Sequence, residues 1–227
     1  MGWILLIIVL LVAVLGPSIW VRRVLAKYSK PDDRYPGTGA KLARFLLDQH
    51  DLQSVGVETT EHGDHYDPLA KVVRLSPGNH DGHSLTAITV AAHEVGHAIQ
   101  DATAYPPLRW RTRLVRATSA IEKLGAGFLL VGPLLGAVTR FPALGVLTFA
   151  AGFLILGTSA IVHFVTLPTE FDASFNRALP LLERHNILKS SDKPHASKIL
   201  KAAALTYVSA ALMSLLNIAR WLAILRR

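Results

Sequence analysis

Residues Ala91 to Asp101 read AAHEVGHAIQD and contain the pattern HExxH as His93, Glu94 and His97. In a helix, His93 and His97 lie four residues apart and share one face. Two imidazoles one turn apart can each give a nitrogen to a single Zn²⁺, at about 2.0–2.1 Å. Glu94 follows the first ligand and can reach a water on the same metal. A metallohydrolase needs this arrangement, because the metal lowers the pKa of water and a carboxylate takes its proton.

The residues before the motif favour a helix. Ser84 can cap an N-terminus, and neither Pro nor Gly interrupts Leu85 to Val95. Gly96 costs about 1 kcal/mol against Ala in an exposed helix, but it removes a side chain where another helix or a ligand can approach. The alanines make a thin rod, suited to packing on all sides. With 10 His in 227 residues, chance produces HExxH in such a chain about once in a hundred. The competing reading is a buried helix with two hydrogen-bonded histidines. A glutamate between them is expensive to bury unless something such as a metal compensates it.

The chain has no cysteine, which excludes disulfides, thiolate ligands and a thiol nucleophile. Apolar residues make up 51%, and the mean hydropathy is +0.34. The net charge is +8. The basic residues cluster beside apolar runs, which points to a lipid bilayer rather than to nucleic acid.

Gly2 to Val21 carries no charge and is long enough to span a bilayer. An uncleaved anchor over 1–21 is expected; a cleaved signal peptide is the rival. Residues 22–123 are expected to form the catalytic, zincin-like region. Tyr28 to Thr38 reads as a linker and Thr38 to His50 as a short amphipathic helix. Val55 to Glu58 and Lys71 to Ser76 read as strands, and His62 to Pro68 as turns. The second strand is expected to offer a free edge to an extended peptide. Residues 124–167, broken only by Arg140, read as a transmembrane hairpin. Residues 168–201 are polar connecting helices, and 202–227 read as a last span. Lys and Arg number 14 in 22–123 and six in 168–201, which places both on the cytoplasmic side. The expected architecture is mainly α: a multi-pass membrane protein with about four transmembrane helices and a small α+β portion carrying HExxH.

A catalytic zinc usually has three protein ligands and one open position. Leu167-Pro-Thr-Glu-Phe-Asp-Ala-Ser174 offers the third. Glu170 is preferred. Asp172 lies about 200° away around a helix, and orients a histidine ring or caps the helix. In the competing reading both acids merely favour a helix N-terminus.

AAHEVGHAIQ, the upstream DHYDP and KVVRLS and the downstream LPTEFDAS resemble the YugP-type membrane zinc metallopeptidases of bacteria. The likeness runs from the first apolar segment to the last. It implies a multi-pass zinc peptidase with HExxH on the cytoplasmic side. More remotely the chain is similar to membrane gluzincins of the HtpX and CAAX-protease type. These carry a glutamate ligand on a later helix and an aspartate four residues on, where this chain has Ser174.

Other residues have two readings each. Asp101 can hold the His97 ring or serve as a helix-end acid, the second being preferred. His62, His65, His80, His83, Tyr66 and Tyr105 are oxyanion donors or, by preference, ordinary surface groups. Asp64 and Asp67 bind Ca²⁺ or, by default, cap turns. His163, an ionisable group inside an apolar run, is a functional suspect or a packed, hydrogen-bonded histidine near the interface. Arg109 to Arg116 reads as a contact for lipid headgroups. The expected function is peptide hydrolysis at the cytoplasmic membrane face, with Zn²⁺ on His93, His97 and Glu170 and with Glu94 as base. The partners are a peptide or protein substrate and the bilayer. The alternative is a membrane scaffold that keeps the zinc site. A transporter would need ionisable groups along the spans, which hold only His163.

Overall fold

The computed structural model describes residues 2–209 and 212, with some side chains of the long helices, His163 among them, outside the described set. In order, the elements are α1 (Gly2–Tyr28), α2 (Gly39–Asp48), β1 (Gly56–Thr59), β2 (His65–Asp67), β3 (Val72–Leu75), α3 (Pro77–His80), α4 (Leu85–Ala102), α5 (Pro106–Val138), α6 (Pro142–Val165) and α7 (Leu167–Phe171). A π-helical stretch, Asp172–Ala178, follows, then α8 (Leu179–Arg184) and α9 (Lys193–Ala204). The chain divides into two compact units. One holds Ser18–Arg109 and Leu167–Thr206. The other holds Met1–Pro17, Trp110–Thr166 and the chain beyond Thr206.

The first unit is organised around α4. The Ser84 hydroxyl accepts from the Ala87 amide and closes the N-terminus of the helix. Every residue from Leu85 to Gln100 is buried. Such a helix needs partners all round, and α2, the sheet, α9 and the π-helical stretch supply them. Ala43, Leu46 and Leu47 of α2 are fully buried in the shared core. Phe45 of the same helix is 40% exposed.

The three-stranded sheet has the order β1-β3-β2, with β1 parallel and β2 antiparallel to β3. His65 to Asp67, expected as turn, is therefore a strand, with Tyr66 opposite Val73. β3 is paired on both sides, so it does not offer the free edge expected of it. The edges are β1 and β2.

Beyond the sheet, the linker after α1 is pinned. Arg34 donates to both oxygens of Asp192 from Nε and Nη2, and the Tyr35 hydroxyl donates to the same carboxylate at 2.7 Å. Asp192 is fully buried. The Arg34 guanidinium holds its carboxyl below the ordinary carboxylate value. A lowered native pKa adds stability that is present above the unfolded value and lost as pH falls through the native one. Arg34→Met is expected to cost about 2–3 kcal/mol at pH 7. That is less than the ~3–5 kcal/mol for a fully buried pair, because Arg34 is partly exposed. The gap should narrow as pH falls below the ordinary carboxylate value and through the lower native one, where the buried Asp192 takes up its proton. Urea denaturation of both proteins at pH 7 and at low pH measures this.

In the second unit, α5 and α6 form an antiparallel hairpin that turns at Arg140. A Cβ on Gly136 would lie 3.2 Å from the Cα of Gly145, so the two backbones touch there.

The expectation of about four transmembrane helices is corrected. Among the described residues, no helix is long and apolar enough to cross a membrane. A span needs about 20 consecutive apolar residues. α1 runs past the uncharged Gly2–Val21 stretch into Arg22, Arg23 and Lys27. α5 opens on Arg109, Arg111, Arg113 and Arg116. The last expected span lies, beyond residue 212, outside the described residues.

Candidate metal centre

His93 and His97 project from the same face of α4, with ring centroids 4.8 Å apart and planes at 77°. Glu170 comes from α7. Its Oε2 lies 3.3 Å from His93 Nε2 and 3.2 Å from His97 Nε2. All three side chains are buried, and each offers an atom within 4.8 Å of the other two.

Contact between two helices brings these groups together. A Cβ on Gly96 would sit 2.6 Å from the Ala173 carbonyl oxygen, so the missing side chain lets the π-helical stretch lie directly on α4. That approach places Glu170 and Ser174, either side of Ala173, against the two histidines.

The protons can be inferred from the partners. The Gln100 amide donates to the Thr169 carbonyl and to Asp172 Oδ2, both at 2.8 Å. Those groups only accept, so the Gln100 nitrogen faces them and its oxygen faces His97. His97 Nδ1–H therefore donates to Gln100 Oε1 at 2.9 Å. The same logic assigns the Ser174 hydroxyl proton to the Leu200 carbonyl at 3.2 Å. Ser174 Oγ then accepts from His93 Nδ1–H at 3.0 Å. Both Nε2 atoms are left as lone pairs aimed at a carboxylate oxygen. Three such acceptors facing one another repel, and a cation among them removes the repulsion. Two imidazoles and a carboxylate fit zinc, which holds three protein ligands and keeps one position open in catalytic sites.

Glu94 is buried, 5% exposed, next to His93 on α4. Asp172 is not in direct contact with a histidine ring; it reaches His97 through Gln100. Burial pushes its carboxyl up, but hydrogen bonds from Gln100, Arg177 and Asn176 outweigh this and hold it below the ordinary value. Asp101 accepts from Tyr66 and pairs with Lys71 rather than holding His97. Burial, then Asp101, pushes the Tyr66 phenol up, so it remains a donor.

The turn histidines stand outside this group. His65 contacts the Gly63 carbonyl, His80 contacts Asp81 and His83 contacts the Tyr35 carbonyl. His62 is exposed. The Arg177 guanidinium lies 5.5 Å over the Tyr105 ring. Asp67 accepts from the Leu69 and Ala70 amides, the local capping role of a turn aspartate, and pairs with Arg74. Asp64 instead ties distant chain together, accepting from the Ser76 amide and hydroxyl and from the Asn79 side-chain amide. Gln100 and Ser174 are the site residues that sequence reasoning missed. The signal available for Gln100 was its place one turn after His97.

The chain matches the family described as "Putative neutral zinc metallopeptidase" over residues 3–226. It is 37% identical over 225 residues to the "Putative membrane protease YugP" of Bacillus subtilis (strain 168), and the match covers 96% of each chain. No solved structure matches it.

Proposed function

The chain belongs to this neutral zinc metallopeptidase family, and from that premise we propose that it hydrolyses peptide bonds with zinc as its cofactor. The supporting observation is the buried convergence of two bare imidazole nitrogens on one carboxylate oxygen. His93, His97 and Glu170 are the ligands. A zinc ion held by these three residues would supply a lowered pKa for water and polarisation of a carbonyl. Glu94 accepts the proton of the attacking water and returns it to the leaving amine. The C–O bond forms, the C–N bond breaks, and the carboxylate ends as it began. Ser174 and Gln100 keep both rings turned so that Nε2 faces the ligand position.

The partner is a peptide or protein substrate. The Bacillus subtilis relative is named a membrane protease, and we extend a membrane location to this chain. The run of Arg109, Arg111, Arg113 and Arg116 beside Trp110, which is 61% exposed, supports contact with anionic lipid at the cytoplasmic face. Nucleic acid has no part in this reading.

A purified sample is expected to cleave an unfolded protein such as casein, to stop when a zinc chelator is added, and to recover with added zinc. A sample that binds zinc but cleaves neither unfolded nor membrane-protein substrates would instead be a scaffold.

A further inference from the structure

His93 and His97 are held by chemically different partners. His93 reaches a neutral backbone carbonyl through Ser174. His97 reaches a carboxylate through Gln100. Gln100 is fully buried, and its amide makes three hydrogen bonds, to His97, Thr169 and Asp172. Beyond it, Arg177 Nε donates to Asp172 Oδ2 at 2.8 Å, and Asn176 donates to Oδ1 at 3.0 Å. Helix α4, the α7 turn and the π-helical stretch are thus tied to one ring through one amide.

We propose that Gln100 is a positioning residue that fixes His97 in its Nδ1–H tautomer and passes the negative charge of Asp172 to it, so that the Asp172–Gln100–His97 chain sets the affinity of the site for zinc. This rests on the zinc reading above. The physical basis is polarisation along the chain. An amide whose N–H faces a carboxylate becomes a stronger acceptor at its oxygen. A stronger acceptor on Nδ1–H makes Nε2 a more basic ligand. Arg177 shares the Asp172 charge and limits the effect. Ser174 ends on a neutral carbonyl, so it orients His93 without supplying charge. The two rings are therefore unequal ligands.

The test uses the full chain in three forms: wild type, Gln100→Leu and Asp172→Asn. Zinc affinity is measured by competition with a chromophoric chelator, the ligand field by the visible spectrum of the cobalt(II) form, and apo stability by thermal unfolding. Gln100→Leu is expected to weaken zinc binding by about 10–100-fold and to shift the cobalt spectrum. Asp172→Asn keeps an oxygen that can accept from Gln100 but loses the charge. It is expected to weaken zinc by a smaller factor, and thermal unfolding of the apo form reads the loss of the Arg177 pair separately from the loss of zinc affinity. It also serves as the probe if Gln100→Leu fails to fold. Zinc affinity within twofold of wild type in Asp172→Asn, or in a folded Gln100→Leu with an unshifted cobalt spectrum, would overturn the proposal while leaving the zinc site standing. A wild-type chain that binds no zinc would overturn both.

Discussion

Glu94→Gln is expected to leave zinc binding intact and to slow peptide hydrolysis by about 10²–10⁴-fold, the usual contribution of a positioned general base. The two side chains have nearly the same shape, so the packing of α4 should not change. Glutamine cannot take a proton from water. Glu94 sits beside His93 in a helix whose residues from Leu85 to Gln100 are all buried. A carboxylate there is costly without a nearby cation. His93→Ala is a different lesion, because it removes a ligand and should lose metal and turnover together. Measuring kcat beside zinc content separates the two. Full turnover in Glu94→Gln would remove the glutamate from the chemistry.

Gly96→Ala should damage the site without touching a ligand. The added Cβ would meet the Ala173 carbonyl at 2.6 Å. That oxygen is backbone and cannot swing aside, so the π-helical stretch must move off α4. Overpacking of this kind costs about 1–3 kcal/mol. Glu170 and Ser174 flank Ala173, so the shift carries both away from His93 and His97. Weaker zinc binding is expected along with lower stability. Urea denaturation of the apo protein and a zinc titration measure the two effects. A Gly96→Ala protein with wild-type stability and affinity would mean that the contact is not tight.

The sequence made the centre of the site legible because its signals are local. HExxH, Ser84 and the absence of breakers each act within one helix, and α4 is where they place it. Glu170 was readable as an acid opening a helix after an apolar run. The groups that orient the rings were harder to read. Gln100 and Ser174 are neutral, and although Gln100 stands one turn after His97, only the crossing of α4 with the π-helical stretch gives both their roles. Asp172 was read from the α-helical period, yet the helix changes at that residue and Gln100 bridges the remaining distance. β2 carries turn residues around it, and its strand character comes from pairing with β3, which is non-local. The apolar runs read as spans because composition alone does not separate a bilayer span from other long apolar helices. Two of the long helices there, α1 and α5, mix basic and apolar stretches.

Zinc K-edge X-ray absorption on the purified wild-type chain is the most direct measurement of the centre. One zinc per chain is expected, with two imidazole rings and a carboxylate oxygen in its shell at about 2.0–2.2 Å. A shell lacking the paired imidazole signal, or one unchanged in Glu170→Ala, would contradict the assignment of His93, His97 and Glu170 as the ligands.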